Sequence, residues 1–235
     1  MPEDMFRIVG RPQVEHVEAE RGPIGQLRDH AVLYAPTWAG YQAETNYSSL
    51  LAGPAIVRGL LDRGCRVVFR PHPYSSRSPE LQAACEEIRE MLAADAASTG
   101  REHLYGALAE EEMSVTDCFN AADAMISDVS AVVGDFLHSG KPLAMVSPRT
   151  GAEEFVEQFP MARAAYVLVV EGQAMPHLDE TLDSLLTADP GRDERLRWAT
   201  YYLGDIPRDS YADRFVHVAK AELGLIAPGE VKDLE

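Results

Sequence analysis

Short apolar runs recur along this chain, and helical patterns separate them. They read AVLYAP (31–36), RVVFRP (66–71), HLYG (103–106), DAMISD (123–128), PLAMVSP (142–148) and AYVLVV (165–170). Runs this short and this continuous match strands buried on both faces. Between them lie LLAGPAIVRGLLDRG (50–64), PELQAACEEIREMLAADA (79–96), VTDCFNAA (115–122) and DVSAVVGDFLHSGKP (128–142). These carry helical spacing or helix-stop signals: Gly64 closes the first, a proline opens the second, and Gly140 with Pro142 stops the fourth. Two further helices are expected around 178–186 and 209–223. HLYG is expected as a short third strand. Alternating strands and helices need crossovers, so the predicted fold is α/β, a Rossmann-like, mainly parallel sheet with helices on both faces. The chain divides into a polar lead-in arm (1–30), the α/β domain (31–225) and a loose tail (226–235).

The function classes are narrowed by composition. With 235 residues, 46% of them hydrophobic, the chain can bury one sizeable core. No apolar stretch reaches the ~18 residues of a membrane span, and MPEDMFRIVG lacks the pattern of a signal peptide. The three cysteines show no C-x-x-C spacing, so neither a disulfide framework nor a zinc site is expected and a reducing cytoplasm fits. A formal charge of −17 argues against a nucleic-acid partner. An anionic ligand must then be held by local donors against an unfavourable overall field. That puts weight on the few basic residues at strand ends.

Arg70 and His72 stand at such an end, in RPHP. Pro71 and Pro73 fix their own φ and bias the residues before them towards extended backbone. His72 therefore leaves the strand in a nearly set direction, where an imidazole can donate to a phosphate or move a proton. Arg70 can pair with a phosphate or hold a carboxylate. In the helix after DAMISD, Val129, Val132, Val133, Phe136 and Leu137 share one face, and Asp128 is placed to cap it. Its start falls at the carboxyl end of a strand, where open α/β sheets bind ligands and free N–H groups attract phosphate. Ser127 and Ser130 would add hydroxyl donors. An ordinary capped junction fits the same residues, and both readings stand at this point. GDFLHSGKP is no phosphate loop: its glycines are one residue too far apart and Pro142 replaces the needed Ser or Thr. Lys141 is expected to favour a helix C-terminus. Thr37, Trp38, Gly40 and Tyr41 form a loop at the same sheet edge, either covering a ligand or packing as surface.

VLYAPTW, VVFRPHP and DAMISDVSAVVGDFLHSGKPLAMV together resemble the C-terminal half of the CDP-glycerol glycerophosphotransferase family, over residues 31–147. YYLGDIPRDSYADRFV (201–216) is more weakly similar to the family's closing segment. The family builds glycerol-phosphate polymers of the teichoic-acid type. The resemblance implies one half of a glycosyltransferase-B-like fold, in which this half holds the nucleotide donor. It implies that His72 contacts or protonates the phosphates of CDP-glycerol or a related nucleotide-diphosphate donor, with Arg70 in support. Thr37, Ser127, Asp128 and Ser130 would line the diphosphate pocket, and Asp135 would reach the ribose. The implied partners are that donor and a polyol-phosphate polymer acceptor, with no metal and no separate cofactor. The implied location is the inner face of the cell membrane, reached through segments outside this chain.

Two departures qualify the resemblance. Val129 and Ala131 stand where the family carries an aromatic residue and a second serine, so one hydroxyl is missing. Nothing before Ala31 resembles the family's first half and its second catalytic histidine. The chain is therefore expected to be a donor-binding domain, inactive alone. The alternative is a non-catalytic nucleotide- or partner-binding module that retains the fold. An epimerase-like enzyme for a UDP-sugar is a third reading.

Overall fold

A computed structural model describes residues 7, 9–172, 174–204 and 208–226. Most of the expected tail, from residue 227, lies outside the described residues, as do residues 205–207 of the closing segment. Five strands form one sheet: β1 (Ala31–Ala35), β2 (Arg66–Phe69), β3 (Ala124–Ser127), β4 (Leu143–Ser147) and β5 (Tyr166–Val169). Their order is β2-β1-β3-β4-β5 and every pairing is parallel. HLYG forms no strand. Leu104 makes a single parallel bridge to Val68 at the edge of β2.

Helices α1 (Gly53–Asp62), α2 (Pro79–Thr99), α3 (Val115–Ala121), α4 (Ala131–Leu137), α5 (Ala152–Gln158), α6 (Leu178–Asp183), α7 (Arg192–Leu203) and α8 (Tyr211–Glu222) complete the fold. Successive strand side chains point to opposite faces, and β1 shows the result. Val32 and Tyr34 join one core with Ile56, Leu60, Leu81 and Ile88. Leu33 and Ala35 join the other with Phe119, Val133, Phe136 and Phe155. The lead-in arm packs onto the domain, with Val14, Val17 and Ile24 buried, the first two of them in this second core.

The strand order sets the position of the site. From β1 the chain crosses to β2 on one side, then returns to β3 on the other. The connections leave in opposite directions at the carboxyl ends of β1 and β3. That opens a crevice at the switch point, where open α/β sheets place ligands. No described helix is long and apolar enough to cross a membrane.

Candidate functional site

Asp128 follows β3 directly and is fully buried. Its Oδ1 accepts from the Thr37 N–H at 2.8 Å. Its Oδ2 accepts from the Ser49 N–H at 2.8 Å and the Ser49 hydroxyl at 2.9 Å. With the Ser49 proton committed there, the Tyr34 hydroxyl is the donor in its 3.0 Å contact with Ser49 Oγ. Ser48 Oγ closes the same loop by donating to the Thr37 carbonyl at 2.6 Å. One carboxylate thus pins both ends of the segment from Thr37 to Ser49. Burial pushes Asp128 up to about 6, with the donors from Ser49 and Thr37 pulling the other way, so it is ionised at neutral pH. Burial holds Tyr34 well above the usual phenol value.

This corrects the expected helix cap. Ser130, not Asp128, occupies the cap position of α4, and its side chain makes no capping bond. The helix begins at Ala131, so Val129 and Val132 lie at the margin of the core and not in its buried face. The physical reason is competition. Donors from the β1 loop engage both oxygens of the Asp128 carboxylate and hold it in that network, and Ser130 takes the cap position.

His72 stands beside this loop. Its N–H donates to the Pro36 carbonyl at 3.0 Å, which ties the β2 exit to the β1 exit. The backbone is extended, at φ −61° and ψ 137°, as its two prolines dictate. Nδ1 accepts from the Tyr74 N–H at 3.1 Å. The neutral ring therefore carries its proton on Nε2, as a donor. Burial lowers its pKa from the ordinary histidine value, which favours that neutral form. The Trp38 ring stacks on His72 at 6.0 Å, and Tyr74 meets both rings edge-on at 5.3 Å. Tyr41 packs on Trp38 at 4.8 Å, and the Arg77 guanidinium lies 3.6 Å from the centre of the Tyr74 ring. Tyr74, Arg77 and Ser49 had no periodic or motif signal in the sequence.

A pocket of about 270 Å³ opens at the switch point, lined by Pro36, Arg70, His72, Val115, Phe119, Ser130 and Val132. Arg70, His72 and Ser130 therefore line one pocket. Thr37 lines a neighbouring cavity with Trp38, Tyr41, Tyr47 and Val129. Arg70 is also a structural anchor, since its Nη1 donates to the Ala109 carbonyl and, at 2.9 Å, to that of Met113. Ser127 is buried and its hydroxyl donates to the Ala35 carbonyl at 2.7 Å, joining β3 to β1. Asp135 sits towards the far end of α4, ion-paired with Arg11 at 2.5 Å. Lys141 does reach a helix C-terminus, but that of α3: its buried Nζ donates to the Phe119 carbonyl at 2.9 Å. Among the described residues no cluster of His, Cys, Asp and Glu is placed to hold a metal ion.

Solved structures share this architecture. A UDP-N-acetylglucosamine 2-epimerase superposes with a TM-score of 0.54 at 16% identity, over 97% of this chain and 54% of that one. MnaA from S. aureus, in complex with UDP, gives 0.52 at 16% identity, over 96% and 56%. The wall teichoic acid polymerase TagF, soaked with CDPG, gives 0.52 at 13% identity, over 94% and 51%. This chain spans about half the length of the solved structures it matches. These likenesses establish one Rossmann-like half of a glycosyltransferase-B-like fold. Among curated proteins, none matches the chain. The family model described as CDP-glycerol:poly(glycerophosphate) glycerophosphotransferase matches residues 12–150, which takes in the packed arm as well as the RPHP and SDVS segments. The chain belongs to the CDP-glycerol:poly(glycerophosphate) glycerophosphotransferase family.

Proposed function

We propose that this chain is the donor-binding domain of a glycerophosphotransferase-like enzyme, taking CDP-glycerol or a related nucleotide diphosphate. The acceptor is a polyol-phosphate polymer at the cell surface. The observation that carries the reading is the setting of His72: Nδ1 accepts the Tyr74 N–H, which leaves Nε2 as the donor of the neutral ring, and the residue lines the switch-point pocket. Transfer joins an acceptor hydroxyl oxygen to the glycerol-bearing phosphorus, releases the hydroxyl proton to solvent, and breaks that phosphorus's bond to the oxygen it shares with the cytidine monophosphate, which departs with that oxygen and the bonding pair. Charge develops on the departing phosphate. A fixed donor aimed there stabilises that charge without reorganising. His72 fills this role, and Ser130 adds a hydroxyl from the opposite wall.

The other residues act through position. Asp128 has all its hydrogen bonds inside the protein, so its role is to shape the loop that carries Trp38 and not to touch the donor. Ser127 holds the strand ends together. Arg70 lines the pocket and anchors the segment containing Ala109 and Met113. Asp135 reaches a ribose only by exchanging its Arg11 partner.

Calorimetric titration with CDP-glycerol, CDP and a UDP-sugar tests this reading. Binding of the cytidine nucleotides in preference to the UDP-sugar, without turnover by the isolated chain, is expected. No binding of any of them would leave the non-catalytic module as the better account.

A further inference from the structure

The loop from Thr37 to Tyr41 takes no part in the transfer chemistry, yet it is built onto His72. Two backbone anchors set how they meet. The His72 N–H donates to the Pro36 carbonyl at 3.0 Å, and the Thr37 N–H donates to buried Asp128 at 2.8 Å. Trp38 follows directly, so it leaves a backbone tied to the exits of both β2 and β3. Its ring lies 6.0 Å from the imidazole, with 26° between the planes. Tyr74 packs edge-on against both rings at 5.3 Å, and Arg77 covers Tyr74 at 3.6 Å.

Hydrogen bonding alone does not hold the His72 ring. Among the described residues the ring has one such bond, from the Tyr74 N–H to Nδ1 at 3.1 Å. Tyr74 is exposed, so water competes for it. The torsion that turns an imidazole about Cβ–Cγ is broad and roughly two-fold. The Trp38 face narrows it, because tilting the ring out of the stack presses an edge towards the indole. Two orientations remain, half a turn apart, and only one brings Nδ1 to the Tyr74 N–H. The indole thus fixes the plane of the ring, and the amide selects which nitrogen is the donor.

We propose that Trp38 is a positioning residue for His72. It acts through the imidazole and does not touch the ligand, and Asp128 holds it in place through the Thr37 N–H. The loop is then neither a cover for the ligand nor mere surface packing, but a support for the histidine. Its consequence for donor binding rests on the reading of His72 as a donor-site residue; its hold on the ring does not.

The chain with isotopically labelled histidine is measured by NMR well above the histidine pKa, where the ring nitrogens report the tautomer. Wild type is compared with W38A and W38F, with H72A assigning the signal and melting temperature checking the fold. Kd for CDP-glycerol is measured by calorimetry on the same proteins and on W38A/H72A. Should W38A fail to fold, W38L replaces it, which keeps apolar bulk without a flat ring. The expected results are one Nε2–H tautomer in wild type and W38F, and exchange between both tautomers in W38A. Kd should rise about 10-fold in W38A and little in W38F, and W38A should add nothing on top of H72A. A single, unchanged tautomer in W38A overturns the proposal. So do losses of affinity that add in the double variant, since Trp38 then meets the ligand itself. If wild type binds no CDP-glycerol, the donor-site reading fails by itself, and the tautomer result alone decides the proposal.

Discussion

Asp128 holds Ser49, 79 residues earlier in the chain, by both its backbone N–H at 2.8 Å and its hydroxyl at 2.9 Å. The same carboxylate takes the Thr37 N–H, so the loop carrying Trp38 is closed at both ends by one buried group. The cavity lined by Thr37, Trp38 and Tyr47 depends on that closure, and so does the stack of Trp38 on His72 beside the switch-point pocket.

Replacing Asp128 should therefore cost folding stability first. Asp128→Ala leaves three buried donors unpaired and is expected to lose about 3–5 kcal/mol in a urea titration. A loss under ~1 kcal/mol would mean that the loop does not rely on this carboxylate.

The pH dependence of Asp128 has a definite sign. Burial puts its folded pKa at about 6, against 3.8 for an ordinary aspartate. The folded protein then binds the proton more tightly than the unfolded chain, and this group's contribution falls as pH rises between those values. Asp128→Asn cannot titrate. The stability of wild type relative to that variant should be greatest below about pH 4 and shrink by up to ~3 kcal/mol by pH 7. Denaturant titrations of both proteins across pH 4–7 measure the difference directly, and a gap that widens with pH would refute the assignment.

Arg70 should behave as an anchor as well as a pocket residue. Arg70→Ala leaves the Ala109 and Met113 carbonyls without their donor, at an expected cost of about 1–3 kcal/mol. Limited proteolysis should then cut first between residues 106 and 114. Arg70→Lys should restore part of the protection, because both bonds leave the one nitrogen Nη1 and a lysine Nζ carries donors enough for both on a shorter side chain.

A buried ion pair sits under α7. Arg195 donates to both oxygens of Asp189, at 2.9 and 2.5 Å, and to the Gly140 carbonyl at 3.0 Å. Asp189→Ala strands a buried guanidinium and should cost about 3–5 kcal/mol, whereas a joint replacement of both by apolar residues should cost much less. Thermal denaturation of the single and paired variants makes the comparison.

Periodicity showed most of the fold because strands buried on both faces must be apolar throughout. All five strands fall inside predicted runs. HLYG was misleading: only Leu104 finds a partner there. Helix α7 was invisible for the opposite reason. Its one buried side chain is Arg195, so it carries no apolar stripe, and its docking depends on an ion pair that periodicity cannot register. Helix α5 was missed as well, since at seven residues with Phe155 as its buried anchor it has too little pattern. In the site, RPHP was legible because proline stiffness is a local property. The role of Asp128 was not, because its partners lie 79 and 91 residues away and a local cap was the only use its neighbours suggested.

On this account His72 serves ligand binding and not folding. Its side chain is half-buried, and the Tyr74 N–H that it accepts belongs to an exposed residue, so water can replace it. The decisive measurement is Kd for CDP-glycerol together with melting temperature on His72→Ala. The predicted result is a Kd raised about 10- to 100-fold, one lost hydrogen bond of ~1–3 kcal/mol, with stability changed by less than ~1 kcal/mol. A melting temperature lowered by several degrees with Kd unchanged would contradict the account.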